Sequence, residues 1–379
     1  MRKTFTKRSL QSLVDLPDGG GHVIARLLAP AARVELPPLP TGQAMLAQLD
    51  VPTEPGGAHW TEDHYQSVAP VLIEFRDVLV HSATGIVCVD DQVIYNTMHQ
   101  AEQALDGWAP EPDGTIALQL ADDIVDLPGR HLSLLTGSAG NYYHWTMDGL
   151  GRLAALPTDE IEGCASVLHP AFTQDFQRDG FRRLGLALPA LPVPNGATLR
   201  VERLVVPWSV LGEHRPHPSV SPLFQRLAQH PPPAAAPGLY PARLYIDRRG
   251  SQNRPLTNEA AVIDALTQRG FIAVRLEDYA LSAQIALFAQ AQIIVAPHGA
   301  GLTNLVYAGR QTKVIELLMD AWVNWCFRRL AALGGQDYDC VIGLEDRPAD
   351  APLSVWPHDR SWTVSVPHVL AAVDRALAA

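Results

Sequence analysis

A run of β-branched residues ends at a proline, a histidine and two glycines in the stretch IIVAPHGAGLTN. In an open parallel sheet, ligands bind beyond the carboxyl ends of the strands, where helix starts present free N–H groups. Gly299 and Gly301 allow a ligand to approach the backbone closely. The stretch predicts an anion site, and the alternative is a tight turn whose histidine caps a helix. The side chains that add hydrogen-bond donors are His298, Thr303 and Asn304.

Three arginines follow a second short apolar run, in RLYIDRRGSQNRP. Guanidinium groups bind phosphate oxygens through two parallel hydrogen bonds, so two arginines suffice to hold a diphosphate. The alternative is a solvated basic loop. A parallel sheet would place this loop at the same edge as the histidine stretch, which favours a binding role. The arginines are Arg248, Arg249 and Arg254.

A third stretch, GNYYHWTMDGLGRL, predicts a helix that begins near Tyr143. His144, Asp148 and Arg152 then follow one another at intervals of four residues and share one helix face, whereas Trp145 faces elsewhere. A histidine beside a carboxylate suits a general base whose charge its neighbours tune. The same row suits a structural ion-pair network, and the sequence leaves both interpretations open.

Regular elements position these stretches. The runs RLYI, FIAV, QIIVA and KVIELL predict short strands, each followed by a helical stretch, which is typical of βαβ units and a parallel sheet. Thr257 and Ser282 are predicted to cap two of these helices. Residues 70–96 predict a small antiparallel sheet. Asp337 and Asp339 form an Asp-x-Asp pattern that we interpret as a surface turn.

The chain of 379 residues exceeds the usual size of one core, so two domains are expected. A proline-rich segment marks the predicted boundary. The predicted divisions are an N-terminal domain at 1–230 (with the sheet at 70–96 and an α/β part at 131–208), a linker at 231–241, a C-terminal domain at 242–360, and a strand and helix at 361–379 that pack back on the N-terminal domain.

Composition excludes several classes of protein. A formal charge of −11 disfavours nucleic-acid binding, and four dispersed cysteines disfavour a disulfide framework or a zinc site. The start of the chain has no apolar segment typical of a secretory signal, and no stretch predicts a membrane span. We expect a cytoplasmic protein, with peripheral contact to the inner membrane through its basic N-terminal residues as a further option.

Taken in order, HWTMDGLGRL, RRGSQNRPLTNE, the run from GFIAV to NLVY, and KVIEL resemble glycosyltransferase family 61 over about residues 130–318. The resemblance implies a GT-B fold, with two Rossmann-like α/β domains and a cleft between them. It also implies inverting transfer of a sugar from a nucleotide sugar, with UDP the expected nucleotide, and neither a cofactor nor a metal. Gly151 replaces a proline that is common in relatives, which affects the expected geometry near Arg152.

The resemblance also assigns roles to residues. Asp148 is expected to act as the base that takes the acceptor proton, with His144 as the rival. The donor side would comprise Arg248, Arg249, Arg254, Asn258, His298, Gly299, Ala300, Gly301, Thr303, Asn304 and Glu316. The acceptor side would comprise Tyr143, Trp145 and Arg152. The arginines and helix N–H groups would stabilise charge on the leaving diphosphate.

The expected acceptor is a glycan or a lipid-linked oligosaccharide, in the biosynthesis of a bacterial surface polysaccharide such as a capsule. One alternative is a catalytically silent partner that binds a sugar nucleotide or glycan. A nucleotide-cofactor oxidoreductase is a further alternative, although no G-x-G-x-x-G pattern opens a helix after a strand.

Overall fold

The structure is a computed structural model that describes most of the chain. The described residues are 2–8, 21–47, 62–81, 85–94, 116–208, 214–229, 240–348, 351, 353–354 and 357–378. The strands are β1 (Arg2–Arg8), β2 (Val23–Leu27), β3 (Arg33–Glu35), β4 (His64–Gln66), β5 (Val71–His81), β6 (Ile86–Val89), β7 (Gln92–Ile94), β8 (Ile116–Gln119), β9 (Ile124–Ser133), β10 (Ser166–Pro170), β11 (Ala190–Val193), β12 (Thr198–Trp208), β13 (Arg243–Ile246), β14 (Ile272–Val274), β15 (Ile293–Pro297), β16 (Lys313–Met319), β17 (Asp337–Glu345) and β18 (Trp362–Thr363).

The helices alternate with the strands in the second half of the chain. The α-helices are α1 (Gly42–Leu46), α2 (Tyr142–His144), α3 (Thr158–Glu162), α4 (Asp175–Arg183), α5 (Val220–Ala228), α6 (Glu259–Thr267), α7 (Leu281–Gln290), α8 (Cys326–Gly334) and α9 (Val366–Ala378). A π-helical turn at Trp145–Gly149 and 3-10 turns at Leu150–Leu153, Leu276–Asp278 and Ala300–Tyr307 complete the set.

Two compact units make up the chain, and both contain a sheet rich in parallel strands. The first unit comprises 1–32 and 67–212, and the second comprises 33–66 and 213–379. The predicted linker at 231–241 falls mostly on residues outside the described part of the chain. The segment 33–66, which the sequence assigned to an N-terminal domain, groups with the second unit.

The first unit contains a ten-stranded mixed sheet. Its path runs β11-β10-β9-β12-β5-β6-β7-β1-β8, and β2 pairs with β5. The neighbours β11-β10-β9-β12 are all parallel, and β5, β6 and β7 are antiparallel as the sequence predicts for residues 70–96. Of the four parallel strands, β9 comes first in sequence, and it lies between β10 and β12. The chain order therefore reverses between β9 and β12.

The second unit contains a six-stranded sheet in the order β14-β13-β15-β16-β17-β18. All its pairs are parallel except the last, β17 with β18. Helices cover a sheet of this kind on both faces, which favours apolar runs at the centre of its strands. Every residue of β15 is buried, which is why the run IIVAP shows no alternation. The predicted βαβ series is confirmed.

Several sequence interpretations are wrong in detail. Asp337 and Asp339 lie in β17 and not in a surface turn. Asp339 is buried there because the backbone N–H groups of Thr41 and Gly42 donate to its carboxylate at 2.9–3.1 Å.

The C-terminal helix α9 packs within the second unit. Asp374 accepts a hydrogen bond from Arg269 at 2.7 Å, and Lys313 donates to the carbonyl of Ala376 at 2.7 Å. These contacts join α9 to the segment after α6 and to the start of β16. The sequence analysis predicted that this helix packs on the N-terminal domain.

Candidate functional site

The second unit has a cavity of about 260 Å³ at the carboxyl ends of three adjacent strands. These strands are β14, β13 and β15, and the chain order reverses between β13 and β15. In a doubly wound sheet, this reversal leaves a crevice that binds ligands. The residues that line it are Ile246, Asp247, Arg248, Arg249, Gly250, Ser251, Arg275, Leu276, Glu277, Pro297, Gly299, Ala300, Gly301 and Leu302.

Arg248 lies across the gap between the β13 and β15 loops. Its guanidinium donates to the backbone carbonyl of His298 and, at 3.0 Å, to the hydroxyl of Ser251. The backbone N–H of Arg248 donates to the buried carboxylate of Glu259 at 2.7 Å. Burial lowers the pKa of Arg248, although nearby carboxylates oppose this effect. The guanidinium therefore adds a fixed positive charge to the wall of the cavity.

Arg249 is held by a buried carboxylate. The carboxylate of Asp247 accepts hydrogen bonds from Nε and Nη2 of Arg249 at 2.7–3.1 Å, and one from the backbone N–H of Arg249 at 2.8 Å. Burial alone would raise the pKa of Asp247, but the bonds and charge of Arg249 outweigh it and the pKa is lowered. Because both groups stay ionised, Arg249 is oriented while its side chain remains largely exposed.

Two glycines are required by close packing at the cavity. A β-carbon at Gly299 would lie 2.8 Å from the central guanidinium carbon of Arg248, and one at Gly301 would lie 2.7 Å from a methyl carbon of Leu276. Neither glycine has a left-handed backbone, so the reason for glycine is space and not conformation. The sequence predicted that these positions allow a ligand close to the backbone, and the structure fills part of that space with Arg248.

His298 belongs to a buried hydrogen-bonded row behind the cavity. Its Nδ1 lies 2.6 Å from Glu316, whose second oxygen accepts from the hydroxyl of Tyr338 at 2.5 Å. Glu316 has no exposed surface, and the side chain of His298 is 11% exposed. Burial lowers the pKa of His298 against the opposing charge of Glu316. The carboxylate orients the imidazole and fixes the Nδ1–H tautomer.

Arg254 lies next to His298 and has a left-handed backbone, with φ of 50°. Residues in and just before β18 hold that backbone. The backbone N–H of Arg254 donates to the backbone carbonyl of His358, and the indole of Trp362 donates to the carbonyl of Arg254, both at 2.9 Å. The guanidinium lies 3.0 Å from His358 Nδ1 and over the ring of Trp322. Burial, and then the charge of Arg248, lower the pKa of Arg254 to about 10.

Six predicted donor-side residues do not line the cavity, namely Arg254, Asn258, His298, Thr303, Asn304 and Glu316. Thr303 and Asn304 are fully buried, and the amide of Asn304 donates to Gln284 at 2.9 Å. Asn258 exchanges hydrogen bonds with the backbone of Val364, at 2.7 and 3.2 Å. These side chains hold neighbouring segments together. Sequence reasoning missed the four other polar side chains of the cavity, which are Asp247, Ser251, Arg275 and Glu277. The position of Arg275 and Glu277 directly after the predicted FIAV strand was the sequence signal that could have identified them.

The first unit contains the predicted histidine–carboxylate pair. Nδ1 of His144 lies 2.5 Å from Oδ2 of Asp148, across one turn of helix, and the pair follows β9, one of the two strands at the reversal. Asn141 caps the helix start by accepting from the backbone N–H of Tyr143. The spacing prediction is confirmed for His144 and Asp148.

The helix around the pair is not a regular α-helix. It passes from one α-helical turn into a π turn and then a 3-10 turn, which keeps Asp148 buried. A β-carbon at Gly149 would lie 2.8 Å from the ring of Trp145, which is fully buried. Arg152 is buried as well, and burial lowers its pKa while the charge of Asp148 opposes that shift. Trp145 therefore packs in the core, as does most of Tyr143.

Within the described ranges, no three His, Cys, Asp or Glu side chains lie together in a way that could hold a metal ion. Metal independence stays a prediction. Over the same residues, no helix is long and apolar enough to cross a membrane.

Residues 142–315, a little under half of the chain, match the family described as Glycosyltransferase 61. This segment begins at α2 and ends within β16, so it includes the His144–Asp148 pair and the cavity of the second unit. Residues 142–315 are therefore similar to glycosyltransferase family 61. The match supports, for this segment, the family predicted from the sequence motifs.

Curated relatives are similar over shorter stretches. The chain is 31% identical over 119 residues to protein O-linked-mannose beta-1,4-N-acetylglucosaminyltransferase 2 of Bos taurus, and 32% identical over 119 residues to that of Pan troglodytes. It is 34% identical over 90 residues to the beta-1,2-xylosyltransferase XAX1 of Oryza sativa subsp. japonica. The alignments cover 30%, 30% and 24% of this chain, and only 20%, 20% and 16% of the relatives.

Proposed function

We propose that this protein is an inverting glycosyltransferase that moves a sugar from a nucleotide sugar, expected to be UDP-linked, to a hydroxyl of a glycan or a lipid-linked oligosaccharide. The observation that carries the proposal is the arginine-lined cavity at the reversal point of a parallel sheet, inside the segment that matches family 61. The parallel sheet in each unit is in keeping with the two Rossmann-like domains of a GT-B enzyme.

The cavity provides what a leaving diphosphate needs. Arg249 presents a guanidinium that Asp247 orients, and Arg248 adds a second positive charge that is fixed before any ligand arrives. Preorganised charges of this kind stabilise a developing negative charge without reorganising during the reaction. In our proposal Glu316 acts as a positioning residue for His298, because it is too buried to meet the donor.

The His144–Asp148 pair is the proposed base. Asp148 was the first choice from the sequence, but its side chain is 7% exposed against 14% for His144, and its Oδ2 is already engaged by His144 Nδ1. We therefore assign proton acceptance to His144 Nε2, with Asp148 fixing the tautomer. The acceptor oxygen forms a bond to the anomeric carbon, the bond from that carbon to the diphosphate breaks, and the acceptor proton passes to Nε2.

Turnover of the purified protein tests this function. We expect release of UDP from one member of a panel of UDP-sugars only when an acceptor glycan is present. His144→Gln and Asp148→Asn should each lower the rate about 10²–10⁴-fold, the range for lost general-base catalysis, while UDP binding stays unchanged. Transfer at the normal rate by both variants would contradict the assignment, and UDP binding without any transfer would support a silent binding partner instead.

The proposed biological setting rests on the similarity to the family. We propose a role in bacterial surface polysaccharide synthesis on the cytoplasmic side. A glycan pool extracted from a mutant strain that lacks this protein should miss one sugar residue, and an unchanged pool would contradict the proposal.

A further inference from the structure

A second cavity, of about 120 Å³, lies in the second unit between α5, the end of the 3-10 turn at Ala300–Tyr307 and the end of α8. Its lining residue Arg310 comes just before β16, and Gly334 comes just before β17. Both strands run parallel to β15, so these residues lie at the amino ends of the strands. The donor cavity lies beyond the carboxyl ends of β13, β14 and β15. The two cavities are therefore at opposite edges of the same sheet.

Apolar side chains from three elements form the walls of the second cavity. They are contributed by α5, by the 3-10 turn and by α8, and they are Val220, Val306, Tyr307, Leu330 and Leu333. The ring of Phe224 packs edge-on against that of Tyr307, with 5.8 Å between the ring centroids. The hydroxyl of Ser221 donates to the carbonyl of Leu333 at 3.2 Å, which joins α5 to α8. These contacts between elements hold the walls in place before a ligand binds.

Gln336 fixes the backbone on one side of this cavity. It is buried, and its Nε2 donates to the carbonyls of Leu305 and Ala308 at 2.8 and 3.2 Å. A β-carbon at Gly334 would lie 2.5 Å from the same Nε2, so a glycine at this position leaves space for the amide. Ala308 and Gly334 both line the cavity. The buried amide therefore joins the end of the 3-10 turn to the end of α8.

Arg310 is the one charged residue among those that line the second cavity. It is exposed, and among the described residues no carboxylate forms an ion pair with it. A β-carbon at Gly335 would lie 3.2 Å from Nη2 of Arg310, so the guanidinium lies against the end of α8. The partial negative charge of a helix end, about half an elementary charge, orients a cation without neutralising it. Gln225 adds a neutral donor to the lining.

We propose that the second cavity binds a small amphipathic anion, that is, a carboxylate or a phosphate attached to a short aliphatic chain. Arg310 holds the anionic group through charge-assisted hydrogen bonds, and the apolar walls cover the chain. The ligand is small, because the volume is about 120 Å³ against about 260 Å³ for the donor cavity. This site is independent of the proposed function, since no residue lines both cavities.

Ligand-detected NMR titrations of the purified protein test the site through the dissociation constants of hexanoate and hexyl phosphate. We expect at least one of these anions to bind tenfold or more tightly than hexan-1-ol, which lacks the charge, and than acetate, which lacks the chain. The tighter of the two identifies the anionic group. If neither anion binds more tightly than hexan-1-ol and acetate, the proposal is overturned.

Substitutions in the lining separate the two parts of the site. Arg310→Ala should lower the affinity by about tenfold or more, and Arg310→Lys should recover part of it because a cation remains. Ala228→Leu should prevent binding by filling the cavity while Arg310 stays in place, since Ala228 is a half-buried lining residue. Arg226→Ala is the matched control, because Arg226 is an exposed arginine of α5 outside the lining. Equal affinity in Arg310→Ala and Arg226→Ala would overturn the role of Arg310.

Arg249→Ala distinguishes the second cavity from the donor cavity, which Arg249 lines. This variant should bind hexanoate and hexyl phosphate as the unmodified protein does, and UDP should displace neither of them. Weaker binding in Arg249→Ala, together with normal binding in Ala228→Leu, would place the ligand in the donor cavity and overturn the proposal. A failure of the protein to bind UDP would overturn the donor site alone, because the titrations with hexanoate need no UDP.

Discussion

Arg248 and Arg254 show how surrounding contacts fix single side chains at the candidate donor site and beside it. Arg248 bridges the loops after β13 and β15 and positions one charge in the cavity. Arg254 has a backbone conformation that is uncommon for a non-glycine residue, and such strain persists only where surrounding contacts impose it. Those contacts come from Trp362 and His358, which lie beyond the segment matched to the family.

The pH dependence of stability reports on the two histidines near these arginines. Burial, and then the charge of Arg254, lower the pKa of His358 against the charge of Asp359, and burial lowers that of His298. A histidine whose pKa is lower in the folded protein than in the unfolded chain binds a proton more readily when the chain is unfolded. Its contribution to the free energy of unfolding is therefore fully present above about pH 6.5 and is lost as the pH falls below that value. We predict a thermal midpoint that is level above about pH 7 and declines toward pH 5.

His358→Asn isolates the contribution of His358 to that decline. The side-chain oxygen of asparagine supplies an acceptor for Arg254 but has no proton to gain. The decline should therefore be shallower in this variant, when thermal midpoints are compared at matched pH values. An equal or steeper decline would show that the pKa of His358 is not depressed in the folded protein.

At this scale the sequence predicted residue types better than roles. The arginine cluster and the His144–Asp148 pair were found because charge and helix spacing are local signals. Asn304, Thr303 and Asn258 were expected at a ligand but serve packing, since burial depends on segments far away in the chain. Glu277 was missed because one acidic residue after a three-residue strand carries no local pattern.

Short glycine-containing turns determine where the elements of the second unit place these residues. Gly299→Ala is predicted to displace the guanidinium of Arg248, because the added carbon would lie 2.8 Å from it, within a contact that real structures do not tolerate. We expect UDP affinity to fall by tenfold or more, since a charge-assisted contact is worth roughly 1.5–3 kcal/mol. Calorimetric titration with UDP measures the change.

Gly309→Ala is the matched control for that substitution. Its added carbon would lie 3.6 Å from the hydroxyl of Thr312 and 4.0 Å from the carbonyl oxygen of Ala289, which are ordinary contact distances, and the position is exposed. UDP affinity should stay the same in this variant. Equal affinity in Gly299→Ala and Gly309→Ala would mean that Arg248 is free to move without loss, contrary to its proposed fixed position.

The strands were predictable because their β-branched runs are continuous and bounded by polar residues. RLYI matches β13 residue for residue, and β15 and β16 differ from prediction by one residue at their ends. The helix starts were less predictable. Thr257 was expected to cap a helix, but its hydroxyl donates to the carbonyl of Trp362, and Ser282 lies inside α7. In Thr257 a tertiary partner replaces the local capping bond.

At the scale of the whole molecule, a segment distant in sequence completes the second unit. Asp339 in β17 accepts hydrogen bonds from the backbone of Thr41 and Gly42, which begin α1. Asp339→Ala is predicted to lower the free energy of unfolding by roughly 2 kcal/mol, because it leaves buried N–H groups without their acceptor. Urea denaturation measures this loss.

Asp337→Ala is the matched control, since Asp337 starts the same strand and is exposed. It should leave stability within about 0.5 kcal/mol of the unmodified protein. Equal effects of the two substitutions would contradict the assignment of Asp339 to structure. The sequence could not reveal this contact, because nearly three hundred residues separate its partners.

The most direct test is calorimetric binding of UDP to the purified protein, in EDTA and again with Mg²⁺. We predict binding in EDTA that Mg²⁺ leaves unchanged, and a loss of about tenfold or more in Arg249→Ala, where a phosphate contact disappears. Arg269→Ala, which removes an arginine paired with Asp374 outside the cavity lining, should bind normally. Binding only with Mg²⁺ would contradict metal independence. No binding in either buffer, or equal binding by Arg249→Ala, would contradict the donor site itself.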